Sequence, residues 1–197
     1  MIKDFESKLK FIELIDKMKN IERASYLISG RRENNAEHSF HLAMMALIFS
    51  EDFSFLNIEK CIKLSLVHDI IEIYAWDTIF LVDNIDKIKS KKDREHKALL
   101  KMKKLFSEYF FDDINNLIIE YESSSTPESK FVHQLDKIQP IIQYVMEWWK
   151  WWHKWKFDKN ELLLKYEEIF KKDEFWLKKI VDYYFQKAEK ENMFYEK

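Results

Sequence analysis

A chain of 197 residues with one cysteine, Cys61, is long enough to bury a core unaided, and a lone thiol excludes an intrachain disulfide. With 33 basic and 35 acidic residues the net charge is −2, which excludes the broad positive field of a dedicated nucleic-acid binder. One glycine and two prolines exclude a fold built on tight hairpins, whose turns need positive φ, and point to an all-α protein.

The opening residues Met1-Ile2-Lys3-Asp4-Phe5-Glu6 lack the apolar stretch of a signal peptide. No run of about 18 apolar residues follows, so the expectation is a cytoplasmic protein without a membrane partner. Phe5, Leu9, Ile12 and Ile15 recur at helical spacing and predict a helix over 3–19. Residues 20–36 lose that period, hold Gly30 beside Arg31, Arg32, Asn34 and Asn35, and read as a loop with a helical turn near Arg23. Phe40, Ala43, Met44, Leu47 and Ile48 predict a helix over 36–50, and another follows over 58–74 with Asn57 as its N-cap. Residues 75–92 read as irregular, with Asp83-Asn84 as a turn signal and the lysines from Lys87 to Lys92 as a solvated loop or helix start, a phosphate site being the lesser alternative. Leu99, Met102, Leu105 and Phe106 predict a helix over 93–109, and a shorter one covers 112–121. The clearest boundary is Ser123-Ser124-Ser125-Thr126-Pro127-Glu128, where Thr126 suits an N-cap, Pro127 the first helical position and Glu128 the positive end of the helix dipole. That helix extends through Asp136, with Pro140 as a kink. Two more helices, over 160–171 and 173–191, close the chain. No repeat or linker interrupts it, so residues 1–197 read as a single helical domain with 146–197 as a helical extension packed on it.

Six histidines occur: His38, His41, His68, His96, His133 and His153. His68 stands out because it precedes Asp69 inside the apolar run Leu64-Ser65-Leu66-Val67-His68-Asp69-Ile70-Ile71. Two ionisable groups there are costly unless paired or bound to an ion. Residues three and four apart share a helix face, which places Glu72 one turn beyond both. Two readings follow: a buried His–Glu pair with a capping Asp, or a metal site with a neighbouring acid/base.

The order His38, then His68-Asp69, then Asp136 resembles the HD-domain superfamily of metal-dependent phosphohydrolases, whose ligands run H…HD…D on separate helices. The segments Arg32-Glu33-Asn34-Asn35-Ala36-Glu37-His38-Ser39, Leu66-Val67-His68-Asp69-Ile70-Ile71-Glu72, Glu120-Tyr121-Glu122, Thr126-Pro127-Glu128 and Leu135-Asp136-Lys137 resemble its 5′-deoxynucleotidase branch over roughly residues 5–145. The resemblance implies an HD-type helical bundle with His38, His68, Asp69 and Asp136 as metal ligands and Glu72 as catalytic acid/base. It also implies Asp77 beside the substrate sugar and Arg23 on the phosphate. Arg32 is a second phosphate candidate on charge alone. Trp76 stands where the family commonly has glycine.

The chemistry agrees with that reading. Two imidazoles and two carboxylates without a thiolate suit one borderline or hard divalent ion: Co, Mn, Fe, Zn, Ni or Mg. Such an ion polarises P–O bonds and lowers the pKa of water, and Glu72 would accept the water's proton. Arginine's planar fork matches phosphate. Glu37 is either an orienting partner for His38 or a solvated carboxylate. A two-metal variant would use His96 and His133, whereas His41 and His153 read as structural. Glu72-Ile73 departs from the adjacent Glu-Asp of the alarmone-hydrolase branch. Trp148, Trp151, Trp152 and Trp155 form an aromatic stripe that reads as core plus a partner-facing patch, with a homodimer the natural partner; an interfacial membrane helix or a base-stacking surface is the alternative, which the balanced charge disfavours. The expectation is a phosphomonoesterase acting on a small phosphorylated substrate, a nucleoside or deoxynucleoside 5′-monophosphate. The alternative is a non-catalytic scaffold that uses the tryptophan surface.

Overall fold

In the computed structural model, which describes residues 2–75, 85–146, 158–170 and 177–194, the helix predicted over 3–19 ends early. Helix α1 spans Phe5–Ile15, and a tighter 3₁₀ turn, Asp16–Asn20, carries the chain onward. The next stretch corrects the reading of 20–36 as a loop with a helical turn. Strands β1 (Glu22–Tyr26) and β2 (Arg32–Asn34) pair antiparallel, Glu22 facing Asn34 and Tyr26 facing Arg32. Gly30 closes the turn at φ 84°, a conformation that side chains with a Cβ rarely adopt. Strands this short carry too little alternation to announce themselves, so Arg23 sits on a strand.

Helix α2 (Asn35–Ser50) opens with a reciprocal cap: Asn34 accepts from the Glu37 amide while Glu37 accepts from the Asn34 amide. Helix α3 (Ile58–Val67) starts at the expected cap, Asn57, which accepts from the Lys60 amide. The helix predicted over 58–74 does not run through. Beyond Val67 the backbone tightens into bonds such as Ile70 N–H to Val67 C=O and Glu72 N–H to Asp69 C=O, before the short α4 (Glu72–Ala75). Helix α5 covers Ile85–Leu105, so the lysine-rich segment is helical from Ile85, in keeping with lysine's good helix propensity. Among the described residues, helices α6 (Glu108–Ser123), α7 (Pro127–Met146), α8 (Lys159–Phe170) and α9 (Lys178–Lys190) follow.

Pro140 lies within α7, which continues past it. Its missing N–H leaves the Asp136 carbonyl without the usual helical donor, and the neighbouring Lys137 carbonyl accepts from the Tyr166 hydroxyl at 3.0 Å. Trp76, Asp77, His153 and the tryptophans 148, 151, 152 and 155 lie outside the described residues.

Among the described residues two apolar clusters form the interior. One joins α2, α3, α7, α8 and α9 through Leu42, Leu64, Leu135, Ile138, Val181 and Phe185. The other joins α1, the 70–75 segment, α5 and α6 through Leu14, Ile70, Ile71, Met102, Phe111 and Ile118. Leu64 belongs to the first and Ile70 to the second. The break after Val67 therefore passes the chain from one core to the other, and His68-Asp69 lie on that seam. Among the described residues no helix is long and apolar enough to cross a membrane.

Candidate metal centre

Three structural elements aim side chains at one point. The cap of α2 sets the phase that turns His38 fully inward. The end of α3 delivers His68 at its cap, with Asp69 next in the tightened turn. Asp136 projects from the middle of α7. His38 Nε2 lies 3.2 Å from His68 Nε2 and 3.1 Å from Asp136 Oδ1. Asp69 Oδ2 is 3.2 Å from His68 Nε2 and 3.8 Å from His38 Nε2, and His68 Nε2 is 3.8 Å from Asp136 Oδ1. His38, His68 and Asp136 each offer a ligand atom, all within 4.8 Å of one another.

These spacings fit a cation. Ligands on arms of about 2.1 Å lie roughly 3.4 Å apart in a tetrahedron and about 3.0 Å apart when adjacent in an octahedron. The remaining ring nitrogens show which lone pairs face the centre. His68 Nδ1 is 2.9 Å from the Ser65 carbonyl, an acceptor only, so Nδ1 carries the proton and Nε2 is bare. His38 Nδ1 is 3.1 Å from Gln139 Oε1, which selects the same tautomer. On Asp136, Oδ2 accepts from the Tyr121 hydroxyl at 3.0 Å and from Lys137 at 2.7 Å, while Oδ1 faces the imidazoles. Lone pairs thus converge on a common centre, an arrangement a divalent ion reconciles.

The electrostatics follow. Burial, reinforced by Arg23, pushes His38 down to about 4. Burial works the same way on His68, but Asp69 and then Asp136 outweigh it and raise its affinity for a proton. Burial pushes both carboxylates up and is overcome: His68 and Arg23 hold Asp69 low, and Lys137 and His38 hold Asp136 low. All four groups are poised in the forms that ligate a metal or sit one proton away from it.

Glu72 is buried at the start of α4, its Oε2 accepting from Asn35 Nδ2 at 2.6 Å. Arg23 donates to Asp69 Oδ2 at 2.9 Å and lies 3.5 Å from Glu33, at the rim of the cluster. Arg32 is placed elsewhere: it lies exposed over the Tyr26 ring, near Glu22. Asp77 lies outside the described residues. Glu37 does not orient His38; its carboxylate caps α2 and pairs with Arg31. His96 is exposed on α5 and His133 sits beside the Tyr121 ring, and among the described residues neither joins the converging group. His41 takes a hydrogen bond from Gln139.

The supporting residues went unread in the sequence. Gln139 and Gln143 lie three and seven residues beyond Asp136, so a polar stripe at helical spacing on an otherwise buried helix was their available signal. Asn35, Glu33 and Tyr121 lie inside motif segments, but nothing in their type or spacing announces what they hold.

Comparisons with known proteins agree with this geometry. The HD domain family model matches residues 15–176. The chain is 34% identical to the 5′-deoxynucleotidase HDDC2 of Homo sapiens over 139 residues, 70% of this chain and 66% of that protein. It is 35% identical to the Danio rerio protein of the same name, covering 70% and 68%. The chain spans about two thirds of the length of these curated relatives. A crystal structure titled as a predicted metal-dependent phosphohydrolase from Magnetospirillum magnetotacticum superposes with a TM-score of 0.81 at 27% identity, covering 98% of this chain and 99% of that one. With the family model spanning most of its length, and with the histidine and aspartate order of that family gathered at one point, the chain belongs to the HD domain family.

Proposed function

We propose that this HD-domain chain is a metal-dependent phosphohydrolase that releases phosphate from a deoxynucleoside 5′-monophosphate or a similar small phosphorylated metabolite. One observation carries the proposal: His38 Nε2, His68 Nε2 and Asp136 Oδ1 gather within 3.1–3.8 Å of one another, with Asp69 Oδ2 at 3.2 and 3.8 Å from the two imidazole nitrogens. The relatives named as 5′-deoxynucleotidases supply the substrate class.

His38, His68, Asp69 and Asp136 would hold one divalent ion, drawn from Co, Mn, Fe, Zn, Ni and Mg. Such an ion supplies positive charge that polarises a phosphoryl oxygen and acidifies water. Glu72, its other face held by Asn35, accepts a proton from the attacking water as general base. Arg23 lies beside Asp69 and offers a planar fork to the phosphate. Arg32 and Asp77 remain candidates for the outer part of the substrate. Cys61 takes no part, since burial pushes its thiol up to about 12 and leaves it a poor nucleophile.

The proposal extends to a cytoplasmic homodimer working on a small molecule and neither on nucleic acid nor at a membrane. Its support is a buried free thiol, which suits a reducing compartment, the near-balanced charge and the aromatic segment at 148–155. The test is phosphate release from deoxynucleoside 5′-monophosphates by purified protein given Co²⁺ or Mn²⁺. Metal-stimulated release is expected, and its absence across a screen of phosphorylated metabolites would refute the proposal.

A further inference from the structure

Beneath the centre lies a second buried carboxylate that the phosphohydrolase reading does not use. Glu33, on β2, is 1% exposed. Its Oε1 accepts from Gln139 Nε2 at 2.8 Å and from Gln143 Nε2 at 2.7 Å, and its Oε2 lies 3.5 Å from Arg23 Nε. Two amide donors on Oε1 and the guanidinium charge beside Oε2 are what keep such a burial tolerable.

We propose that Glu33 is a positioning residue that fixes the tautomer of His38 through the orientation of the Gln139 amide. A side-chain amide can turn either end toward a neighbour. Here the neighbours decide. Glu33 Oε1 can only accept, so the NH₂ end of Gln139 must face it. Even a proton on Oε2 would leave Oε1 an acceptor. The second hydrogen of the same NH₂ meets His41 Nδ1 at 3.2 Å. Both amide hydrogens are then engaged, and the amide oxygen is left for His38 Nδ1 at 3.1 Å. That nitrogen must carry the proton, and a neutral imidazole carries only one. His38 Nε2 is therefore bare and directed at His68 and Asp136. A reversed amide would set a carbonyl against the Glu33 carboxylate and an NH₂ against His38 Nδ1. The imidazole proton would move to Nε2, where it blocks ligation. Because Glu33 also lies against Arg23, one carboxylate supports a metal imidazole and the phosphate-side guanidinium together.

This inference rests on the proposed metal centre but not on any substrate, and its test needs no turnover. Imidazole nitrogen NMR of the chelator-treated full-length protein reports the His38 tautomer, and calorimetry with Mn²⁺ reports affinity. The wild type should show His38 protonated on Nδ1 alone. Glu33→Gln, nearly isosteric, replaces an obligate acceptor by an amide that can pair either way. It should give mixed tautomers and a loss of Mn²⁺ affinity of about 10- to 100-fold. The double variant Glu33→Gln with Gln139→Glu reverses the polarity of the pair and again presents an acceptor to His38, so it should restore the single tautomer and most of the affinity. Should Glu33→Gln not fold, Gln139→Met carries the same expectation of mixed tautomers. A single, unchanged tautomer in either folded variant overturns the proposal, as does a wild-type His38 protonated on Nε2. Absence of nucleotidase activity alongside the expected tautomer behaviour would refute the substrate reading and leave this one standing.

Discussion

The two imidazoles of the centre are held in opposite ways. His68 sits at the C-terminal end of α3 and His38 in the first turn of α2. The last carbonyls of a helix lack helical donors, so His68 finds an acceptor in its own chain, Ser65 C=O at 2.9 Å. The first turn of a helix has surplus N–H groups instead, and His38 must reach another element, Gln139 on α7, for its acceptor. A backbone acceptor comes with the helix and survives any substitution. A side-chain acceptor needs its own support, and the buried Glu33, Gln139 and Gln143 with the half-buried His41 are that support. The two halves should therefore fail differently.

The largest effect is expected where both halves meet. Asp136→Ala removes the carboxylate that faces both imidazoles and accepts from Tyr121 and Lys137. Metal analysis of the purified variant should find no stoichiometric ion, and phosphate release should fall to background; retained metal would remove Asp136 from the ligand set. Glu72→Ala comes next and separates chemistry from binding. It should bind Mn²⁺ as the wild type does and lower kcat by about 10²- to 10⁴-fold. Chelation acts on both halves at once. Returning Mn²⁺ at about 100 times its Kd should raise stability by roughly 2.7 kcal/mol, read from denaturant melts; identical melts would argue that no ion binds the folded state.

The smallest effects sharpen the contrast. Asn34→Ala removes the α2 cap on the His38 side and should cost about 1 kcal/mol of stability. Ser65→Ala breaks only the hydroxyl bond to the Cys61 carbonyl, because it is the Ser65 backbone that holds His68. It should cost about 1 kcal/mol while leaving Mn²⁺ affinity unchanged. A large affinity loss in Ser65→Ala would end the distinction between the two supports.

Much of the fold was legible along the chain. Asn57 as the cap of α3, Pro127 as the first residue of α7, the spans of α2 and α8 and the presence of α6 and α9 follow from local periodicity and capping chemistry, which act within a few residues, although α6 reaches from Glu108 to Ser123 beyond the expected 112–121. The β1–β2 ribbon was not legible, because its strands are stabilised by each other across the turn. Nor was the break after Val67: the pattern from Ile58 to Tyr74 is helical throughout, and only the need of Leu64 and Ile70 to enter different cores interrupts it. His38, His68, Asp69 and Asp136 could be listed as candidates from their order, whereas Gln139 and Glu33 could not, since an amide 106 residues from a glutamate carries no sign of their pairing.

By itself, the sequence determined the helical class and the residue types able to bind a cation, because glycine scarcity, apolar period and ligand chemistry are properties of short stretches. Only the tertiary structure decided which nitrogen of each histidine is bare. A tautomer depends on what lies across the ring, and for His38 that neighbour comes from a helix about a hundred residues away.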